Sequence, residues 1–378
     1  MNVVIAIDSF KGSLSSIDAG NAAAVGIRRA FPDAVTVIRP VADGGEGTVD
    51  ALTAGLGGRF VEAPVSDPLG RIITAKYGVL PDNTAVIEMA AASGLTLLSP
   101  DERDPMITSS FGTGELILDA VSRGCRNFII GIGGSATNDG GIGCLQALGF
   151  GLLDKDGAQV GPGAKGASDL VSITDDRVPH VLRECSFNVA CDVTNPLCGH
   201  NGCSSVFAPQ KGADPLSIPS MDRSLQRFAE ITARFNSHAS PDTPGAGAAG
   251  GLGFALMYFL GATLSSGVEL VIRQTRLEEA IRCADIVVTG EGCLDSQTAM
   301  GKAPVGIAKI AKIYNKPVIA FCGAVRNGAE LCNNCGIDAF FPVVRRACSL
   351  EQAMELSAAS ANLADTAEQV FRTIHLFL

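Results

Sequence analysis

The chain has 378 residues, 47% of them hydrophobic and 18% charged, with 29 Lys and Arg against 39 Asp and Glu for a net charge of −10. At about 100–200 residues per domain this favours two or three domains, and the apolar content excludes bulk disorder. The acidic balance excludes a general attraction to nucleic acid or anionic lipid, and a chain with no Trp and three Tyr lacks an aromatic base-stacking platform.

The N-terminus runs through apolar residues to Asp8 without a basic region before them, so it reads as a strand rather than a secretory leader. Strand-like Val3–Ile7, helix-like Ile17–Ala30, strand-like Ala34–Arg39 and helix-like Thr48–Leu56 make a βαβα opening, the start of a parallel sheet. Phe60–Val65, Ile72–Val79 and Ala85–Met89 follow as short strands joined by tight turns, an antiparallel or mixed pattern. A helix over Gly114–Ser122 leads to a strand at Asn127–Gly131, and a loop-rich region to another at Phe187–Asp192. Gly245–Val268 carries no charge, but its glycines and serines favour a buried helix over a membrane span. Strands at Ile286–Thr289, Val318–Phe321 and Ala339–Val343 alternate with helices, and Leu350–Ile374 closes as amphipathic helix. The expected fold class is α/β with two α/β domains. One is discontinuous (1–98 plus 270–378) with a parallel or mixed sheet, and the other (99–269) is inserted. Ser237–Pro244 is the first hinge candidate and Leu98–Pro105 the second.

Cys332-Asn-Asn-Cys335 is a lone CxxC, and the four His residues do not complete a zinc site with it. Scattered cysteines in apolar surroundings fit a reduced, cytoplasmic protein.

Chemistry-bearing residues recur just after strands: Asp8–Ser13, Ala42–Thr48, Gly131–Gly141, Ala190–Pro196 and Thr289–Asp295. In open α/β sheets the carboxyl ends of strands line the ligand crevice, so these corners can share one site. Glycine turns present N–H groups to phosphate oxygens. Carboxylates hold Mg²⁺ with the help of substrate phosphates, and Lys11, Lys211 and Lys302 can neutralise a transferring phosphoryl group. Each feature has a plainer use as well: Asp8 and Ser13 as helix caps, Asp43 and Glu46 as acidic residues at a helix start, Lys302 as a solvated lysine. No Walker loop, G-x-S-x-G elbow or protein-kinase signature is present.

The segments Asp8-Ser-Phe-Lys-Gly-Ser13, Ala42-Asp-Gly-Gly-Glu-Gly-Thr48, Ser66-Asp-Pro-Leu-Gly-Arg71, Gly112-Thr-Gly-Glu115, Gly131–Gly141, Cys191–Leu197, Phe207–Ala213, Pro244–Gly251, Thr289–Thr298 and Gly301–Pro304 occur in one order across residues 1 to about 325. In them the chain resembles bacterial glycerate kinases of the type I family. The resemblance implies ATP-dependent, Mg²⁺-assisted phosphorylation of D-glycerate at the 2-hydroxyl, on flavodoxin-like and restriction-endonuclease-like domains. The alternatives are 3-kinase activity and a nicotinamide-dependent hydroxy-acid oxidoreductase, although Gly131-Ile-Gly-Gly-Ser-Ala lacks the last glycine of a dinucleotide fingerprint. A solute-binding protein would need export, and a regulator would need a DNA-binding module.

On this basis ATP and glycerate are expected to meet in the cleft between the domains. Asp192 is the first candidate for the base that accepts or orients the hydroxyl proton, and Asp8 the second. Lys11 and Lys302 stabilise the γ-phosphoryl. Arg71 and Ser13 bind substrate, Arg71 by forking onto the carboxylate. Gly112, Thr113, Gly133, Gly134, Ser135, Gly290 and Lys211 contact nucleotide or phosphate, and Asp43, Glu46 and Glu291 hold Mg²⁺. The expected partners are D-glycerate and ATP, with no nucleic acid and no membrane; self-association into a homo-oligomer stays open.

Overall fold

The computed structural model describes residues 1–42 and 47–377. Its strands are, in chain order, β1 (Asn2–Ile7), β2 (Val35–Ile38), β3 (Arg59–Ser66), β4 (Ile72–Val79), β5 (Thr84–Glu88), β6 (Asn127–Gly131) and β7 (Gly151–Leu153). They continue with β8 (Ser172–Thr174), β9 (Ser186–Ala190), β10 (Thr263–Ser265), β11 (Ile286–Leu294), β12 (Val318–Val325) and β13 (Ala339–Pro342). The chain divides into two compact α/β units. A terminal unit is made of Met1–Asp43, Asp50–Gly57 and Val268–Leu378, and a central unit of Gly44–Val49 and Gly58–Gly267.

The terminal unit holds a wholly parallel sheet in the order β13-β12-β11-β1-β2. Side chains alternate across a strand, so a sheet clad on both sides needs apolar residues at every position, and β1 supplies them. Val3, Ile5 and Ile7 pack towards helices Ser16–Ala30 and Leu356–His375, while Val4 and Ala6 pack towards helix Ala303–Ile313. Helix Ser16–Ala30 starts where the Ser15 hydroxyl accepts the Asp18 N–H at 3.1 Å, and it carries Arg28 and Arg29 in its last turn. From β1 the chain proceeds to β2 on one side, whereas β11 to β13 build the other. The order therefore reverses at the β1/β11 junction, the topological switch point at which such sheets form a ligand crevice.

The central unit holds a six-stranded sheet in the order β10-β9-β6-β5-β4-β3. β5, β6, β9 and β10 run parallel, and β3 and β4 are antiparallel additions. Its main apolar cluster includes fully buried Tyr77, Phe128, Phe228 and Phe254.

Several expectations change. Residues 59–98 fall in the central unit, because β5 pairs with β6 along Thr84–Glu88 and brings β3 and β4 with it. Both hinge candidates, Ser237–Pro244 and Leu98–Pro105, lie inside the central unit. β11 extends beyond Thr289 to Leu294: its glycines resemble a turn in sequence, yet Gly290 to Leu294 continue the parallel register with Phe321 to Val325. The closing helix is two helices, Leu350–Met354 and Leu356–His375, broken at Glu355, whose carboxylate caps the second by accepting N–H groups of Ser357 and Ala358. Among the described residues no helix is long and apolar enough to cross a membrane; Leu252–Leu260 ends at the left-handed Gly261.

Candidate active site

In the central unit, the carboxyl ends of β6 and β9 open onto a cavity of about 410 Å³, within the range usual for small-ligand sites. Its lining includes Gly133, Gly134 and Ser135 after β6, Asp192 after β9, and Lys211 and Ala249 from the short 3-10 turns Pro209–Lys211 and Ala248–Gly251. The apolar run of β6 stops at Gly131, and the chain then turns through Gly134 at φ +73°, a left-handed conformation that suits glycine. Gly133 and Gly134 face solvent while Ser135 is buried. The turn is tied down from two sides: Leu95 N–H donates to Gly134 O at 2.9 Å, and Ala136 N–H to Ser93 O at 2.9 Å. Asp192 is exposed, and its Oδ1 accepts the Gly267 N–H at 3.1 Å.

Lys211 is buried behind that turn at 2% exposure. Its Nζ donates to Ser135 Oγ and to Thr137 O, both at 2.6 Å. Burial pulls its pKa down to about 8. Lys211 therefore meets the loop from within the protein, where the sequence suggested a lysine reaching towards phosphate.

In the terminal unit, Asp8 and Glu291 stand at the switch point, with Asp8 N–H donating to Gly290 O at 2.8 Å. Asp8 Oδ1 accepts the N–H of Ser9 at 2.6 Å. The chain then makes a tight turn, Phe10 and Leu14 bridging, with Lys11 exposed at its tip and Ser13 Oγ buried without a hydrogen-bond partner among the described residues. Glu291 is 8% exposed; one of its oxygens accepts the Thr298 hydroxyl and the other lies 3.9 Å from Lys302 Nζ. Lys302 is also 3.8 Å from Asp295, which caps helix Ser296–Ala299 through the N–H groups of Gln297 and Thr298. Partial burial opposes ionisation of Asp295, but those N–H bonds and Lys302 prevail and hold its pKa low.

Residues 3–375 match the glycerate kinase family. The chain belongs to that family. It is 48% identical to glycerate 2-kinase of Escherichia coli K12 over 97% of this chain and 98% of that protein. It is 47% identical to glycerate kinase of Bacillus subtilis 168 over 95% and 94% of the two chains. A crystal structure described as glycerate kinase 2 from Salmonella typhimurium LT2 superposes with a TM-score of 0.92 at 47% identity, covering 100% of this chain and 98% of that one.

Not every residue singled out in this glycerate kinase family member reaches a cavity. Gly112 and Thr113 are buried in helix packing: a Cβ on Gly112 would lie 1.9 Å from Ser66 O, and Thr113 Oγ1 bonds to Ser93 Oγ at 2.8 Å. Gly290 is likewise a close-approach glycine, against Phe321 O at 2.0 Å. Arg71 is half exposed and its fork is engaged, Nε with Asp67 and a terminal nitrogen with Glu102 at 2.6 Å. Asp43 and Glu46 lie outside the described residues. Two supporting residues were missed. Thr298, which holds Glu291, carries a readable signal in the Asp295-x-x-Thr298 capping spacing. Asp139 accepts hydrogen bonds from Ser110 N–H and Oγ, Gly141 N–H and Gly143 N–H, and so fixes the loop beneath the cavity. No local pattern announces it, since Ser110 is 29 residues away.

Proposed function

We propose that this chain transfers the γ-phosphoryl group of ATP to the 2-hydroxyl of D-glycerate. The observation that carries the proposal is that one cavity is lined by both a solvent-facing glycine turn, Gly133–Gly134, and a carboxylate, Asp192. The turn supplies N–H donors for phosphate oxygens, and Asp192 takes up or orients the hydroxyl proton. Because the acceptor oxygen gains charge late in a loose transition state, fixing its line of attack matters more than basicity. The Gly267 N–H on Asp192 Oδ1 provides such fixing. Within the terminal unit, Lys302, which lies near Glu291 and Asp295, and Lys11 are the lysines whose charge suits phosphoryl oxygens. Asp8 remains the second candidate for the proton.

Mg²⁺ is expected to arrive with the nucleotide and shield its phosphate charge, a role that needs few protein carboxylates. Among the described residues Glu291 is the carboxylate we assign to it. Its engagement by Thr298 and its nearness to Lys302 suit a contact through water.

The 2-position rests on the Escherichia coli relative's being a glycerate 2-kinase. The test is ³¹P NMR of the product from ATP, Mg²⁺ and D-glycerate. Phosphorus split by one carbon-bound proton marks 2-phosphoglycerate; splitting by two marks the 3-isomer and overturns the regiochemistry. No new phosphate ester overturns the activity itself.

A further inference from the structure

A lysine placed in a protein interior is ordinarily paired with a carboxylate, because an isolated buried charge is costly. Lys211 departs from this. Its two polar contacts, Ser135 Oγ and Thr137 O, are neutral, and among the described residues no carboxylate forms an ion pair with it. The titratable groups around it offset the burial of its charge only in part. Cys203 is fully buried, its thiol raised to about 12 and so neutral. Asp139, also fully buried, favours the ammonium through space, but its oxygens accept from Ser110, Gly141 and Gly143 and not from Lys211, and the cost of burial still prevails at the lysine. Asp192 sits at the end of β9, exposed and bonded to Gly267. Lys211 nevertheless lines the cavity that exposes Gly133 and Gly134.

We propose that Lys211 is a positioning residue whose missing counter-charge is supplied by the phosphate chain of ATP, so that nucleotide binding and protonation of this lysine are coupled. It acts through Ser135: the ammonium fixes the Ser135 hydroxyl and the Thr137 carbonyl, and these set the direction of the preceding N–H groups. The inference rests on the central cavity being the phosphate site. Linkage gives the sign. A bound polyanion favours the charged lysine, so affinity is greatest below about pH 8 and falls as the proton is lost above it. The terminal phosphate of the ligand ionises near pH 6, well outside this window.

Calorimetric titration of the whole protein with ATP, without glycerate, at pH 8 in two buffers of different ionisation heat measures the coupling. Uptake of roughly half a proton per ATP, and a fall in affinity approaching tenfold per pH unit above pH 8, are expected. In Lys211→Met the uptake should vanish and affinity at pH 7 should drop at least about tenfold, while Lys211→Arg should bind ATP with no pH dependence in this range. Zero uptake by the wild type overturns the proposal, and so does uptake that persists in Lys211→Met. The wild-type measurement decides even if that variant does not fold. Phosphorylation of glycerate is scored separately by NMR, so an active enzyme that binds ATP without proton uptake sinks this inference alone, whereas an absence of any phosphate ester sinks the functional proposal.

Discussion

At the scale of single residues, the two side chains that the resemblance assigns to the ends of the substrate stand in very different surroundings. Asp192 stands in the open lining of a cavity, and its Oδ1 accepts the Gly267 N–H, a bond that an asparagine oxygen can also accept. Asp192→Asn should bind ATP within about twofold of wild type and lose roughly 10²–10⁴ in kcat, the usual worth of a positioned acid–base group. Unchanged turnover in a steady-state assay would take Asp192 out of the reaction. Arg71 is the contrasting case. The resemblance reserved its planar fork for the glycerate carboxylate, but Asp67 and Glu102 already accept from it. On this geometry Arg71→Lys should change the KM for glycerate by less than about threefold, since a half-exposed ion pair contributes little. A tenfold rise with kcat unaltered would return Arg71 to the substrate.

At the scale of elements, the parallel strands set where chemistry is done, and the segments after them set what it is. Strands such as β1 and β6 were legible in sequence because they are dense apolar runs, β1 halting before Asp8 and β6 ending on Gly131. Less legible were contacts made by distant partners. Tyr77 on β4 is fully buried, and its hydroxyl finds Asp119 of helix Phe111–Ser122 at 2.7 Å, across 42 residues. Asp119 is partly desolvated, yet its bonds from Arg123 and Tyr77 outweigh that and hold its pKa low. A carboxylate depressed in the folded state adds stability above its unfolded pKa of about 3.9, and that stability is lost as pH falls through the folded value. Asp119→Asn, which leaves Tyr77 with a weaker acceptor, should cost about 1–3 kcal/mol at pH 7. The difference in Tm between variant and wild type should narrow below about pH 4. A gap that stays constant from pH 7 to pH 3 would show that the carboxylate's charge is not what matters. The same distance effect explains why the domain boundaries read from sequence were displaced: β3, β4 and β5 look continuous with the βαβα opening, and only pairing of β5 with β6 assigns them to the central unit. Lys211 shows the limit at site level, since its spacing from Ser135 is 76 residues and sequence offers no sign of which way it points.

At the scale of the whole molecule, each unit has its own hydrophobic core and its own row of strand ends, and such chains seldom unfold in a single two-state step. A ligand held by one unit therefore stabilises that unit first, by about 2.7 kcal/mol at a hundred times its dissociation constant. If the phosphate chain of ATP lies on the Gly133–Ser135 turn, hydrogen exchange should slow there and at 190–193, by up to roughly a hundredfold for amides that open only when the ligand leaves. The cavity lined by Val178, Leu182 and Phe235 belongs to the same unit but carries no glycine turn, so its amides provide an internal control. ATP should leave them unchanged apart from any global gain. Glycerate alone should not reproduce the pattern at 133–135, because it lacks the phosphate oxygens those N–H groups are proposed to bind. Protection confined to the terminal unit, around Asp8 and Glu291, would move the phosphate site to the switch point and leave Lys211 with a purely structural task.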